Sequence, residues 1–286
     1  MIAPFQAPKL KLARAGQHIS ELEAKVSAYW DEKPYRVVVE QPAELKNVPA
    51  CAFVTKIRKA VPVELSGPIG DAVHNLRAAL DLQACDLVRL NGGSAKSVHF
   101  PFAASAEGLE GQIKAKNFRS ASPACVDLLR HLQPYTGGND ALRGIHDLDI
   151  QDKHSALIPA VSAARIEQFT LKVGDNLNQI PPWESTVPRD GWWMMVVPEL
   201  EDVAIGTEIG CKFTLVFDHD APFAGREIIP LLRSLTEYVT SVVKSFETLC
   251  KGQTFPEIAP GKGSSKALII GEPVKPRYTS PVTMHR

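Results

Sequence analysis

The sequence predicts an α+β fold in which a helical bundle is flanked by an antiparallel sheet contributed by both halves of the chain. Apolar residues recur at helical spacing near both ends and in the middle of the chain. Two strand-like segments lie at 35–40 and 52–57, and the hydrophobic period changes to two from Ile166 onward. Because strands lie on both sides of the helical middle, we expect one intertwined domain over 1–252.

The first and last helices are predicted from apolar seams that step by three and four residues. Leu12 to Tyr29 form the first seam, which ends before Pro34, and Ile228 to Leu249 form the second, with Pro230 in its first turn. Each seam needs a helical partner, which is the other seam, the helix around Asp71, or a second copy of the chain. The sequence does not choose among these three, and the last of them would be a homodimer through the helix at 226–251.

Between these helices, the segments 35–40 and 52–57 are expected to pair as antiparallel neighbours. A helix is predicted to begin near Ser66-Gly67-Pro68, with Ser66 as its cap, and to stop at 91–93. Shorter helices are expected over about 123–132 and from about Asn139 onward.

Strands are expected again at 169–173, 193–197 and 211–217. The run 192–197 is apolar throughout, which predicts burial on both faces, whereas 211–217 alternates as a half-exposed strand does. Asp218-His219-Asp220 is predicted to be a turn. From 253 to 286 the chain is rich in Pro, Gly and Ser and carries five Lys/Arg against two Glu, which predicts a flexible basic tail.

Composition narrows the function classes. Hydrophobic residues make up 44% of the 286 residues and charged residues 22%, as in ordinary globular proteins. Lys plus Arg and Asp plus Glu both total 32, so binding to nucleic acid would need a local patch. No run approaches the roughly 20 apolar residues of a membrane helix, and we expect no membrane partner.

The spacing of the cysteines predicts that the protein has no zinc site and that it belongs to a reducing compartment. All five stand singly, without a CxxC pair, and no secretory signal is evident at the N-terminus. We expect reduced thiols and a cytoplasmic protein. A Gly-rich run at 259–266 lacks the spacing and flanking elements of a phosphate loop, and neither GxSxG nor HExxH occurs, so no cofactor is expected.

The first candidate site is a polar face on the predicted helix that begins near residue 66. Asp71, His74, Arg77 and Asp81 fall within an arc of about 120°. One interpretation makes His74 an acid or base, with Arg77 stabilising negative charge and Asp71 or Asp81 orienting the imidazole; Asn75 is a further ligand-binding candidate. The alternative is a surface face held by the pairs Asp71–His74 and Arg77–Asp81.

The second candidate site is the dense cluster at 146–154. It contains four competent metal ligands and one further ligand-binding candidate: His146, Asp149, Asp152, His154 and Lys153. On one continuous helix these ligands do not share a face, so no metal is expected, and the choice is between a ligand-binding or catalytic role and a hydrogen-bonded structural turn. We expect the two clusters to meet, with His74 or Arg77 within hydrogen-bonding reach of Asp152 or His154.

The pattern GDxxHNLRxALD at 70–81, followed by Phe-Pro-Phe at 100–102, Leu-Gln-Pro at 132–134 and Asp-Lys-His at 152–154, resembles hypothetical proteins of bacteria and phages. The resemblance covers roughly residues 60–160. In that group a His often follows the final Asp, which gives an Arg-x4-His spacing similar to that of HEPN ribonucleases; Leu82 holds that position here. The resemblance implies a helical module, with RNA or a nucleotide as ligand.

Two function hypotheses follow. The first is a non-catalytic binding or interaction module with a polar site around His74, Arg77 and 152–154. The alternative is a HEPN-like ribonuclease or another phosphoester-acting enzyme that uses His74 and Arg77, with His154 as a substitute for the missing histidine.

Overall fold

The computed structural model describes residues 3–155 and 220–252. Between them it describes the segments 159–166, 169–173, 176–180, 183–185, 191, 193–198, 208–209 and 211–218. The predicted basic tail at 253–286 and His219 lie outside these residues. The single domain over 1–252 stays a prediction.

The helices of the described part form the expected bundle. They are α1 Gln6–Asp31, α2 Ser66–Leu90, α3 Leu109–Ala115, α4 Pro123–Leu132, α5 Asp140–His154 and α6 Ile228–Cys250. Helix α1 packs against α2 and α6, and α2 also packs against α5 and α6. The predicted helices are confirmed, while the short α3 was not predicted.

Both apolar seams are buried within the chain. The seam of α1 runs from Leu12 to Tyr29, each of its residues being at most 8% exposed, and the seam of α6 includes the fully buried Leu235, Val239 and Phe246. Helix α6 meets α4 and α5 as well as α1 and α2. The partner that each seam needs is therefore supplied inside one chain.

Side-chain caps begin two of the helices. Ser122 accepts a hydrogen bond from the Cys125 amide at the start of α4. Asn139 Oδ1 accepts from the Leu142 amide at the start of α5, while its Nδ2 donates to the Leu132 carbonyl and to the Tyr238 hydroxyl. The cap predicted at Ser66 is wrong, because Ser66 lies in the first turn of α2 and its hydroxyl donates to the Val63 carbonyl.

The strands run antiparallel and come from both halves of the chain, as predicted. They are β1 Tyr35–Glu40, β2 Ala50–Ile57, β3 Pro159–Ile166, β4 Phe169–Val173, β5 Asn176–Ile180, β6 Trp183–Ser185, β7 Trp193–Pro198, β8 Glu208–Ile209 and β9 Cys211–Phe217. One sheet has the order β7-β2-β1-β8, so late strands flank the early pair; a second has the order β6-β3-β9, and β4 pairs with β5. Val37, Val39 and Phe53 of the first sheet join the core of the bundle.

Two predictions about strand burial are wrong. Trp193 and Val196 of β7 are 36% and 49% exposed, because β7 lies at a sheet edge and a register shift opposite Phe53 and Val54 interrupts its alternation. In β9, the consecutive residues Leu215, Val216 and Phe217 are all buried. The chain after β9 folds back and covers this strand: the Phe217 amide donates to the Arg226 carbonyl, and the Gly225 amide donates to the Phe217 carbonyl.

The chain between β9 and α6 turns as expected, with the Ala221 amide donating to the Asp218 carbonyl. Within the described residues, no helix combines the length and the hydropathy that crossing a bilayer requires.

Candidate functional site

Helices α2 and α5 approach each other closely where Gly70 faces Asp152. A Cβ atom at position 70 would overlap the Asp152 carboxylate, so the lack of a side chain at Gly70 makes room for it. This approach aligns the polar faces of the two helices. It thereby brings the two candidate clusters together, as the sequence predicts.

His74 is held by a buried carboxylate from α5. Its Nδ1 lies 2.9 Å from Asp149 Oδ1, and the second carboxylate oxygen of Asp149 accepts from Lys153 Nζ at 2.5 Å. Asp149 is only 3% exposed. Because a carboxylate oxygen accepts the hydrogen bond, Nδ1 of His74 donates in this contact, and Nε2 of the ring is not used by it.

The guanidinium group of Arg77 contacts a carboxylate and two aromatic rings. Its Nη1 is 2.5 Å from Asp81 Oδ1, an ion pair that lacks the angle of a hydrogen bond. The guanidinium carbon lies 4.4 Å from the centre of the Phe102 ring, a cation–π contact, and Nε donates to His146 Nδ1 at 3.4 Å. The predicted Arg77–Asp81 pair is therefore confirmed.

His146 is a neutral imidazole at physiological pH. Its ring stacks on Phe102 with centroids 4.6 Å apart and an interplanar angle of 3°. Burial, and then the positive charges of Arg77 and Arg143, lower the pKa of His146 to about 4. Since Nδ1 accepts from Arg77, the proton of the neutral ring is on Nε2.

Asp81 joins α2 to the segment before α3. Its Oδ1 accepts from the Phe100 amide at 2.8 Å, and its Oδ2 lies 3.6 Å from His99 Nδ1. His99 is a site residue that the sequence did not predict. It directly precedes the Phe-Pro-Phe run at 100–102, which is the one signal that could have indicated it.

These groups surround a cleft of about 410 Å³. Its lining residues are Lys11, His74, Arg77, Ala78, Asp81, Leu82, His99, His146, Asp149, Ile150 and Lys153. Lys11 comes from α1, far from both clusters in sequence, and no local pattern indicated it. The lining also includes three apolar residues, Ala78, Leu82 and Ile150, of which Ile150 is 41% exposed.

Several predicted site residues lie outside the cleft lining. Asp71 is 3.7 Å from the Nδ1 of His18 on α1, its side chain 63% exposed, and Asn75 Nδ2 donates to the Asp71 carbonyl. Asp152 lies against Gly70, and His154 is exposed at the end of α5. The surface-pair interpretation paired His74 with Asp71, but His74 bonds Asp149 and Asp71 lies beside His18.

The expected meeting of the clusters is confirmed, but the contacts fall earlier on α5 than expected. His74 and Arg77 contact Asp149 and His146 instead of the predicted Asp152 or His154. The interpretation of 146–154 as a structural turn is wrong, because α5 continues through His154. On that continuous helix, His146, Asp149 and Lys153 share one face toward α2.

The described residues contain no group of three or more His, Cys, Asp or Glu side chains that could hold a metal ion. No protein-family model, curated protein or solved structure matches this chain.

Proposed function

We propose that the protein is a binding module whose cleft takes a phosphate-bearing ligand, RNA or a nucleotide. The observation that carries the proposal is the distribution of charge around the cleft. Lys11, Arg77 and Lys153 contribute three positive charges against the two carboxylates Asp81 and Asp149, and because Arg77 and Lys153 pair with those carboxylates, the charge of Lys11 is left uncompensated.

Each carboxylate has partners that reduce its repulsion of an anion. Asp149 is bound by His74 and Lys153, and Asp81 by Arg77 and the Phe100 amide. Among the described residues Lys11 forms no ion pair, so its ammonium group is available to a phosphate. The apolar wall formed by Ala78, Leu82 and Ile150 suits the base or sugar of a nucleotide.

Binding is tested by titrating the intact chain with a fluorescently labelled single-stranded RNA and, separately, with a nucleoside monophosphate. Lys11→Gln is expected to weaken binding at least about fivefold and to reduce its salt dependence. The matched control is Lys25→Gln on the same helix, where the lysine pairs with Glu21 on the surface and affinity should not change. No binding of either probe, or equal loss in both variants, would contradict the proposal.

A second candidate function, a HEPN-like ribonuclease or another phosphoester-acting enzyme, is favoured by one specific contact. The buried Asp149 orients His74 through Nδ1 and does not use its Nε2, an arrangement suited to a general base. Arg77 would stabilise negative charge on the phosphate. His154 lies exposed at the end of α5 and outside the cleft lining, so this candidate depends on His74 and Arg77.

Cleavage is assayed with a labelled single-stranded RNA. If His74 is a base, His74→Asn abolishes cleavage while retaining RNA binding, and His154→Asn shows whether the second histidine takes part. Intact RNA after prolonged incubation with the unmodified protein would contradict the ribonuclease, whereas the binding module would still be consistent with this result.

We also propose a homodimer through the helix at 226–251. Since the apolar seam of α6 is buried in the chain, a second copy would meet the exposed face that carries Glu237, Thr240 and Lys244. Light scattering at micromolar concentration tests the dimer, and a clean monomer contradicts it. A cytoplasmic location is proposed because the thiols of Cys85, Cys125 and Cys250 are not oxidised to disulfides.

A further inference from the structure

Two cysteines that are distant in sequence lie side by side at one end of the bundle. The sulfur atoms of Cys125 and Cys250 are 3.9 Å apart. Cys125 belongs to the first turn of α4 and is 1% exposed, whereas Cys250 is the last residue of α6 and is exposed. The pair therefore joins a buried thiol to an accessible one.

The surroundings allow the remaining approach of the two sulfurs. A disulfide needs a separation of about 2.05 Å, so one sulfur must move by roughly 2 Å. Cys250 ends its helix, directly before the turn at Lys251 and Gly252, where Gly252 has a φ of 70°. Terminal residues of a helix have few of its hydrogen bonds to break, so Cys250 can make this movement without disturbing the bundle.

We propose that Cys125 and Cys250 form a reversible disulfide when the protein meets a small-molecule disulfide such as oxidised glutathione. This modification site is independent of the cleft and of any ligand bound there. A reversible disulfide of this kind is compatible with a reducing compartment, where disulfides form transiently.

The exchange proceeds in two balanced steps. The Cys250 thiolate attacks one sulfur of oxidised glutathione, so that a mixed disulfide forms and one glutathione thiolate leaves. The Cys125 thiolate then attacks the Cys250 sulfur, the bond from Cys250 to glutathione breaks, and the second glutathione thiolate leaves. The two protein thiols lose two protons and two electrons, and oxidised glutathione becomes two reduced glutathione molecules.

The resting state of the pair is reduced and slow to react. Although Cys250 is exposed as a residue, partial burial of its thiol, followed by the neighbouring Cys125 thiol, raises the pKa of Cys250 to about 12, so little of its reactive thiolate is present at neutral pH. Exchange is therefore measured at about pH 8.5 with millimolar oxidised glutathione, where the thiolate fraction is larger.

The test is a peptide map of the intact chain after oxidation. Free thiols are blocked with N-ethylmaleimide, and the protein is digested with trypsin without reduction. The cleavage sites place Cys125 alone in peptide 120–130 and Cys250 alone in peptide 245–251. We expect these peptides to appear covalently joined, two hydrogens lighter than their sum, and to separate with dithiothreitol. Two maleimide-labelled peptides, or Cys250 joined to another cysteine, would overturn the proposal.

Single variants test the order of attack. In Cys125→Ala, glutathione should remain trapped on Cys250, because the second thiol is missing. In Cys250→Ala, the buried Cys125 should take up no glutathione. Cys85→Ala is the matched control and should still form the joined peptide. Glutathione on Cys125 in the Cys250→Ala variant would overturn the assignment of Cys250 as the attacking thiol, and the map of the unmodified sequence stands even if a variant does not fold.

Discussion

At the scale of single residues, the Asp149 carboxylate holds the candidate site in place. It is buried and accepts from both His74 and Lys153. Asp149→Asn removes the charge but keeps the shape, so we expect the free energy of unfolding to fall by about 1–3 kcal/mol, as for a hydrogen bond to a buried charged group. Urea denaturation at pH 7 measures the loss.

The control is Asp127→Asn on α4, where the carboxylate is 70% exposed and pairs with Arg130 at the surface. Its effect should stay below about 0.5 kcal/mol. Equal effects in the two variants would mean that Asp149 contributes no more than an ordinary surface pair.

The lowered pKa of His146 predicts that the free energy of unfolding depends on pH. Its pKa is lowered from 6.5 to about 4 in the folded protein. Between these values the unfolded chain binds a proton that the folded protein does not, so the stability that neutral His146 provides is present above pH 6.5 and lost as the pH falls toward 4. After allowance for solvent screening, we expect a loss of about 2 kcal/mol over this window.

The comparison is His146→Phe, which retains an aromatic ring against Phe102 but does not titrate. Other histidines and carboxylates titrate in both proteins, so the difference between the two curves isolates His146. Urea midpoints from pH 7 to pH 4.5 should fall more steeply in the unmodified protein. Parallel curves would show that His146 does not have the lowered pKa.

At the scale of elements, the approach of α2 to α5 depends on Gly70. Gly70→Ala should forfeit most of the gain of about 1 kcal/mol in helix propensity, because the new methyl group overlaps the Asp152 carboxylate and forces that flexible side chain to move. Gly67→Ala, also in α2 but with open space around its Cβ position, should be neutral or stabilising. Thermal unfolding compares the two, and equal melting temperatures would rule out close packing at Gly70.

The longer elements could be predicted from sequence because their patterns repeat. Seams of three heptads identified α6, and alternation identified β9, whereas α3 has only seven residues and β8 only two. The meeting of the two clusters could also be predicted, since dense ionisable groups within apolar helices need partners. Which turn of α5 faces His74 depends on how α2 and α5 are rotated about their axes, and Lys11 reaches the cleft from a third helix, α1. No short stretch of sequence determines either feature.

At the scale of the whole molecule, α6 joins the bundle into one body. It contacts α1, α2, α4 and α5, and Leu235 at its centre is fully buried. Leu235→Ala should lower the free energy of unfolding by about 2–5 kcal/mol through lost burial and a cavity. Thr240→Ala, on the exposed face of α6, should change it by less than about 0.5 kcal/mol. A small effect of Leu235→Ala on urea denaturation would show that the seam is loosely packed.

The side chain of Asn139 connects the end of one helix, the beginning of the next and the middle of a third. Its amide binds the carbonyl of Leu132, the amide of Leu142 and the hydroxyl of Tyr238, all within the bundle. If any one of the three helices moves away, the buried side-chain amide of Asn139 loses a hydrogen-bond partner while it still binds the other two helices. The junction of α4, α5 and α6 should therefore exchange its backbone hydrogens with solvent as one cooperative unit, and α5 would carry the Asp149 and His146 side of the cleft with it.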